Sequence, residues 1–314
     1  MKLEFRIAIS PFPAFYSTVK LAALSLRRLG PPYDSARVVV SVGDLADLKA
    51  IRAANPWSED FPVVWRSVVP WMFRNYSYFA THSDRYFEPT DADVIFICDG
   101  DVCLVDRVDE LAARLAQPGR RAVAGLQAHF PAIEQDAAGS EARWRRIFAE
   151  SGLGEPRLAY SYSGDVEDQM GLGPAYFNYG FVGFSREAFM AVAPLQTSYS
   201  MMVAALTDKS FYLAQISLAL MIHQTGLEVE QLSFAYNCCN DTLPFTAAAP
   251  LRLAGPDEIR VIHFLRNDQV DRRKFLADPV AFDAFLAASD LNAVNARLRD
   301  HVLALGGRAN LLFV

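Results

Sequence analysis

Two carboxylates one residue apart, Asp99 and Asp101, close the apolar run Val94–Cys98, with Gly100 between them. Residues i and i+2 of an extended chain point to the same side, so the two acids share a face. Buried carboxylates need a cation or hydrogen bonds to offset the loss of water. A hard divalent cation suits such a pair, and it usually also takes phosphate oxygens and water. The alternative is that both acids merely cap a turn after the strand. Other residues of chemical interest surround the pair in chain order. Arg85 precedes it and offers a cation for phosphate, or else a surface partner for Asp84 or Glu88. Asn178 and Gly180 offer an amide and a close-approach backbone, or else a strand-end bulge. His263 offers a nitrogen ligand, or else a satisfied core histidine between Ile262 and Phe264. His82, His129 and His223 lack spaced partners and read as structural, and Trp57, Trp65, Trp71 and Trp144 as packing residues.

The elements that must hold these residues alternate. Leu3–Ser10 predicts a strand, Ser17–Arg28 a helix ending at Gly30, Ala36–Val42 a second strand, and Leu45–Ala54 a short helix. Ser67–Phe87 predicts a helix carrying Arg85, with Pro70 tolerated in its first turn. The run Ala92–Val105, rich in β-branched residues, predicts a strand buried on both faces. Strand and helix in alternation imply a mainly parallel sheet, whose ligands bind beyond the carboxyl ends of the strands. Asp99 and Asp101 lie at such an edge. Further on, Arg121–Leu126 and Tyr176–Phe184 predict strands, Glu141–Ser151 and Ser210–Thr225 helices, and Glu258–Leu265 a late strand bearing His263. Gly152–Gly173 reads as a long loop, a candidate lid. Residues after Asp271 read as helical, ending in the apolar tail Leu311–Val314.

Composition narrows the function. The chain has 314 residues, 52% hydrophobic and 21% charged, with net charge −6. That describes an ordinary globular protein. Arg27-Arg28, Arg145-Arg146 and Arg272-Arg273-Lys274 are too short to track a nucleic-acid backbone and read as solvated helix faces, so nucleic acid is not the expected partner. Phe211–Ile222, the longest apolar window, is too short and too polar to span a membrane, which leaves only peripheral membrane contact. No secretory signal is seen, and Cys98, Cys103, Cys238 and Cys239 form no spaced zinc pattern. Reduced thiols in a cytoplasmic protein are the expectation.

In order, Arg85, Ile97-Cys-Asp-Gly-Asp101, Phe177-Asn-Tyr-Gly180, Gln215, Tyr236-Asn237 and Val261-Ile-His-Phe264 resemble the motif series of GT-A fold glycosyltransferases. The resemblance is to the glycogenin-like and bacterial galactosyltransferase-like group known as family 8, and it spans roughly residues 3–270. It implies an α/β fold of GT-A (Rossmann-like) type, with a mixed, mainly parallel sheet flanked by helices. Residues 1–270 would form the catalytic domain, 1–105 the nucleotide-binding half and 106–270 the acceptor half. Residues 271–314 would form a helical extension. By the same resemblance Asp99, Asp101 and His263 would hold Mn²⁺ or Mg²⁺, and Arg85 would contact the diphosphate of a nucleotide-sugar, expected to be a UDP-sugar. Asn178 and Gln215 would serve the transferred sugar or its acceptor, a glycan, lipid-linked or protein molecule. Two positions depart from the pattern. The acid expected before Gln215 is Ala214, and the lysine expected after the histidine is missing from Leu265–Gln269, with Arg266 or Lys274 as substitutes. Two other functions compete. A haloacid-dehalogenase-type phosphohydrolase would use Asp99 as nucleophile, although Gly164–Asp168 has the wrong spacing for its last acid cluster. A non-catalytic nucleotide-sugar-binding protein on the same fold would need no carboxylate at position 214.

Overall fold

A computed structural model describes residues 1–44, 47–76, 78–132, 137–207 and 212–311, apart from the side chains of residues 75, 76, 78 and 79. Residues 312–314 of the apolar tail, and Ser210 and Phe211 of the helix read from Ser210, lie outside the described residues. Among the described residues, twelve strands run in chain order: β1 Leu3–Ile9, β2 Arg37–Val42, β3 Val63–Ser67, β4 Val94–Asp99, β5 Val102–Leu104, β6 Ala122–Gln127, β7 Tyr160–Ser161, β8 Leu172–Gly173, β9 Phe177–Ser185, β10 Glu228–Gln231, β11 Cys238–Cys239 and β12 Val261–His263. Seven of them form the central sheet in the order β10-β6-β9-β4-β1-β2-β3, and β11-β12-β5 form a small second sheet. Pairing in the central sheet is parallel except where β9 runs against both β4 and β6. The fold is thus the mixed, mainly parallel α/β arrangement expected from the alternation.

Burial explains the composition of the strands. Every residue of β1 is buried, as is every residue of β4 before Asp99, because helices cover both faces. On one face Phe5, Phe96 and Phe181 stack across β1, β4 and β9, with ring centroids 5.1 and 4.8 Å apart. Gly183 faces Phe96 across the β4–β9 ladder, and a Cβ there would come within 3.0 Å of that ring. The helix Pro13–Leu29 closes this face. On the other face Ile95, Ile97, Val182 and Phe184 pack with the helices Ala137–Glu150, Arg186–Val192 and Leu213–Thr225. A third cluster joins the helices Pro279–Ala287 and Ala293–Ala304 to β5, β11 and β12.

Several elements depart from the sequence reading. Pro13 occupies the first turn of its helix, so the helix begins four residues earlier than its apolar pattern. The strand β3 lies just before and within the stretch read as the start of a helix. Pro70–Tyr76 and Tyr78–Asp84 are helical, residue 77 between them lying outside the described residues, and the helical run stops at Asp84 instead of Phe87. Arg85 consequently lies in the turn after a helix rather than inside it. The long loop contains the β7–β8 pair, and Asp165 within it is buried and accepts the backbone N–H groups of Gln169 and Met170. The helix Leu213–Thr225 ends at Gly226 in the left-handed conformation, as read. By length and composition alone, the continuous helical stretch Arg186–Leu206, 21 residues long, is apolar enough to cross a membrane. Here its Phe189, Val192 and Val203 are packed into the core.

Candidate active site

The acidic pair sits on the tight turn joining β4 to β5. Gly100 is required there because a Cβ would meet Ile9 at 2.8 Å and Phe15 at 3.2 Å. The small sheet then sets the geometry. β12 runs antiparallel to β5 with His263 opposite Val102, which brings the imidazole back to the turn. His263 Nε2 lies 3.2 Å from Asp101 Oδ1, and ligand atoms of Asp99, Asp101 and His263 all lie within 4.8 Å of one another. Two hard oxygens and an imidazole nitrogen from two strands form a donor set that fits a divalent ion of the Mg²⁺ or Mn²⁺ kind.

Cations surround the pair. Arg272 donates from Nη1 to Asp101 Oδ2 at 2.6 Å. Burial pushes the Asp101 carboxyl up, but the charges and hydrogen bonds of His263 and Arg272 outweigh it and hold the group well below the usual carboxylate range. Arg85 is fully buried behind the pair, with Nη1 2.8 Å from the Cys98 carbonyl and 3.5 Å from Asp99 Oδ1. Its guanidinium also bonds His82 Nδ1 at 2.6 Å, so that ring nitrogen accepts, and burial with the Arg85 charge holds His82 neutral. Neither Asp84 nor Glu88 takes up Arg85: Asp84 binds Arg66 and Ser41, and Glu88 binds Arg37 and Arg66.

A cavity of about 1020 Å³ opens in front of these groups, and Asp99, Asp101, Asn178, Gln215 and His263 all line it. Five of the six residues singled out from the sequence therefore meet in one cleft. The sixth, Arg85, backs Asp99 without lining the cavity. Asn178 uses its Oδ1 inwardly, accepting from Gly180 N at 2.9 Å and Asn237 Nδ2 at 3.2 Å. The Ala214 carbonyl accepts from Tyr179 Oη at 2.8 Å, and Gln215 follows it into the cavity wall.

The sequence reading missed three further participants. Arg272, in a basic run that the sequence places on a solvated helix face, lies instead in a turn and pairs with Asp101. Arg266, which also lines the cavity, is bonded to Asp241 at 2.9 Å, and Lys274 stands 3.8 Å from Asp271. The other two are His129 and Tyr176, whose Nε2 and Oη are buried without a hydrogen-bond partner among the described residues while both side chains line the cavity. His129 Nδ1 bonds Ser163 Oγ at 2.7 Å, and burial lowers its pKa to about 3. The only sequence signal for Arg272 was charge density a few residues past His263. For His129 and Tyr176, strand-end position was the only cue.

Residues 84–226 match a family model described as a Rhodobacterales glycosyltransferase domain, a span that contains Arg85, both acids, Asn178 and Gln215. No curated protein matches the chain by sequence. Among solved structures, the galactosyltransferase LgtC in complex with donor and acceptor sugar analogues is similar over 100% of this chain and 97% of its own, with TM-score 0.60 and 15% identity. An active-site mutant of LgtC is similar over 85% of this chain and 88% of its own, with TM-score 0.54 and 14% identity. The bifunctional glycosyltransferase WbbM shares 14% identity with TM-score 0.50, over 95% of this chain and 51% of its own. At these identities the structural likeness speaks to the fold, which is the GT-A architecture. The chain thus has the GT-A fold, and residues 84–226 of it match a glycosyltransferase domain. Fold and domain match do not favour the phosphohydrolase or the non-catalytic alternative.

Proposed function

We propose that this glycosyltransferase moves a sugar from a nucleotide-sugar, a UDP-sugar by resemblance, to a glycan, lipid-linked or protein acceptor, with a divalent ion held by Asp99, Asp101 and His263. The observation that carries this reading is the convergence of those three ligands on one cavity wall beside Arg272. A bound ion there would supply charge to stabilise a departing nucleoside diphosphate. The remaining work falls to the chain itself. Arg272 and Arg266 offer guanidinium groups to the diphosphate, taking the place of the missing lysine. Arg85, buried behind Asp99, orients that carboxylate rather than touching the donor. Asn178 and Gln215 present amides to sugar hydroxyls in the same cleft. Four buried free thiols fit a cytoplasmic setting, where they stay reduced.

Thermal unfolding with a panel of UDP- and GDP-sugars, with and without Mn²⁺, tests the reading. A donor present at a hundred times its Kd raises the melting temperature by roughly 4 °C, and only when Mn²⁺ is present. Asp101→Asn abolishes that shift. A panel giving no shift for any donor with Mn²⁺ overturns the proposal.

A further inference from the structure

One chain of hydrogen bonds at the cavity wall has its protons fixed from end to end. It begins at the Gly180 backbone N–H, a donor by necessity, which lies 2.9 Å from Asn178 Oδ1 and so settles which end of that amide is oxygen. The same oxygen, and the Asn178 carbonyl, each lie 3.2 Å from Asn237 Nδ2, which must therefore be the donating end of the second amide. The opposite end of Asn237, its Oδ1, then faces His263 Nδ1 at 3.0 Å. An amide oxygen only accepts, so the hydrogen must sit on Nδ1. The other ring nitrogen, Nε2, is left with its lone pair directed at Asp101 Oδ1, 3.2 Å away. Two acceptors that close repel unless a cation lies between them, either a proton or a metal ion.

The backbone is built around this contact. A Cβ at Gly180 would come within 2.2 Å of His263 Nδ1 and 2.5 Å of Asn237 Oδ1, so any side chain there would occupy the bond itself. Asn237 is fully buried, and His263 nearly so. We infer that Asn237 is a positioning residue that locks His263 in the Nδ1–H tautomer, with Gly180 keeping the space for that lock, so that Nε2 is presented as a ligand. The inference rests on the metal-dependent reading for its purpose, although not for its geometry. A hydrogen-bond partner on the far side of a ligating imidazole fixes both tautomer and ring orientation, and its loss typically weakens metal binding about ten- to one-hundredfold.

The test uses the full chain and two variants. Asn237→Leu and Asn237→Asp both lose the amide donor to Asn178, but only the aspartate keeps an acceptor facing His263. Ring ¹⁵N NMR of the metal-free protein at alkaline pH reports the tautomer directly. The expected result is the Nδ1–H form in the native protein and in Asn237→Asp, and a mixture in Asn237→Leu. Direct Mn²⁺ titration should show Asn237→Leu weakened about ten- to one-hundredfold and Asn237→Asp not weakened. A native ring that carries its hydrogen on Nε2 overturns the inference without any variant. So does a folded Asn237→Leu protein that binds Mn²⁺ as tightly as the native one. If the native protein shows the Nδ1–H tautomer and binds no Mn²⁺, the metal reading fails and the tautomer lock stands.

Discussion

Arg272 and Asp101 form an ion pair of 2.6 Å that occupies one oxygen of a carboxylate whose other oxygen faces His263 at 3.2 Å. The guanidinium arrives from the turn after β12 and competes with any ion for Asp101. Arg272 is partly exposed, so the pair is worth about 1 kcal/mol at most. Replacing it with glutamine should let Mn²⁺ alone bind about fivefold more tightly. The same substitution should weaken UDP binding at saturating Mn²⁺, because a cation is lost from the cavity wall. Calorimetric titration of each ligand separates the two effects, and unchanged Mn²⁺ affinity would count against the competition.

Arg6 connects the sheet to the site from behind. It is fully buried on β1, bonds Glu4 at 2.6 Å, and donates to the carbonyls of Arg85 at 2.5 Å and Glu88 at 2.6 Å. The turn carrying Arg85 is therefore tied down by a second buried arginine. Among the described residues, Arg6→Met would leave those carbonyls without donors and Glu4, also buried, with only Arg37 and Thr90. We expect a loss of about 3 kcal/mol, read from urea unfolding. A loss below about 1 kcal/mol would show that the turn holds itself.

How much of this was legible depended on whether the signal was local. The strand ending in Asp99-Gly-Asp101 was readable because burial on both faces demands a continuous apolar run. The left-handed cap at Gly226 was readable because one residue type suits it. β3 was not: Val63–Ser67 is a sheet edge only partly buried, with Arg66 turned to Asp84 and Glu88, so neither strict alternation nor an apolar run marks it. Asp99, Asp101 and His263 were legible as a list, but not the hydrogen bond from His263 to Asn237, since Asn178, Asn237 and His263 meet only through pairing of distant segments. Arg272 resembled its charged neighbours until the turn brought it to Asp101. A charge run carries no record of which member folds inward.

Tyr176 separates stability from function. Its hydroxyl is buried at the cavity without a partner among the described residues, and burial raises its pKa. Removing an unpaired buried hydroxyl sacrifices no hydrogen bond and recovers a desolvation cost. Tyr176→Phe should therefore leave the melting temperature of the free protein unchanged or slightly raised. If a substrate hydroxyl pairs with that group in the working enzyme, transfer should fall about five- to tenfold, as for one neutral hydrogen bond. A melting temperature several degrees lower would reveal a partner that Oη has in solution.

The helix Ala293–Ala304 is joined to Pro13–Leu29 through His301, whose Nε2 lies 2.8 Å from Ser25 Oγ. Ser25 donates its own hydrogen to the Leu21 carbonyl, so Nε2 carries the proton of that bond and the ring is neutral. Burial, together with Arg28 and Arg297, lowers the His301 pKa from 6.5 to about 4. The unfolded chain therefore takes up a proton first as pH falls. The stability contributed by neutral His301 is complete above about pH 7 and is lost progressively between 6.5 and about 4. The loss amounts to about 3 kcal/mol, at most 1.4 per pH unit. His301→Gln retains an amide donor for Ser25 and cannot titrate, so its stability should fall less steeply with acid. Urea unfolding at about pH 7, 5.5 and 4 would show the two proteins converging by about 3 kcal/mol, whereas parallel profiles would mean that His301 titrates normally in the folded protein.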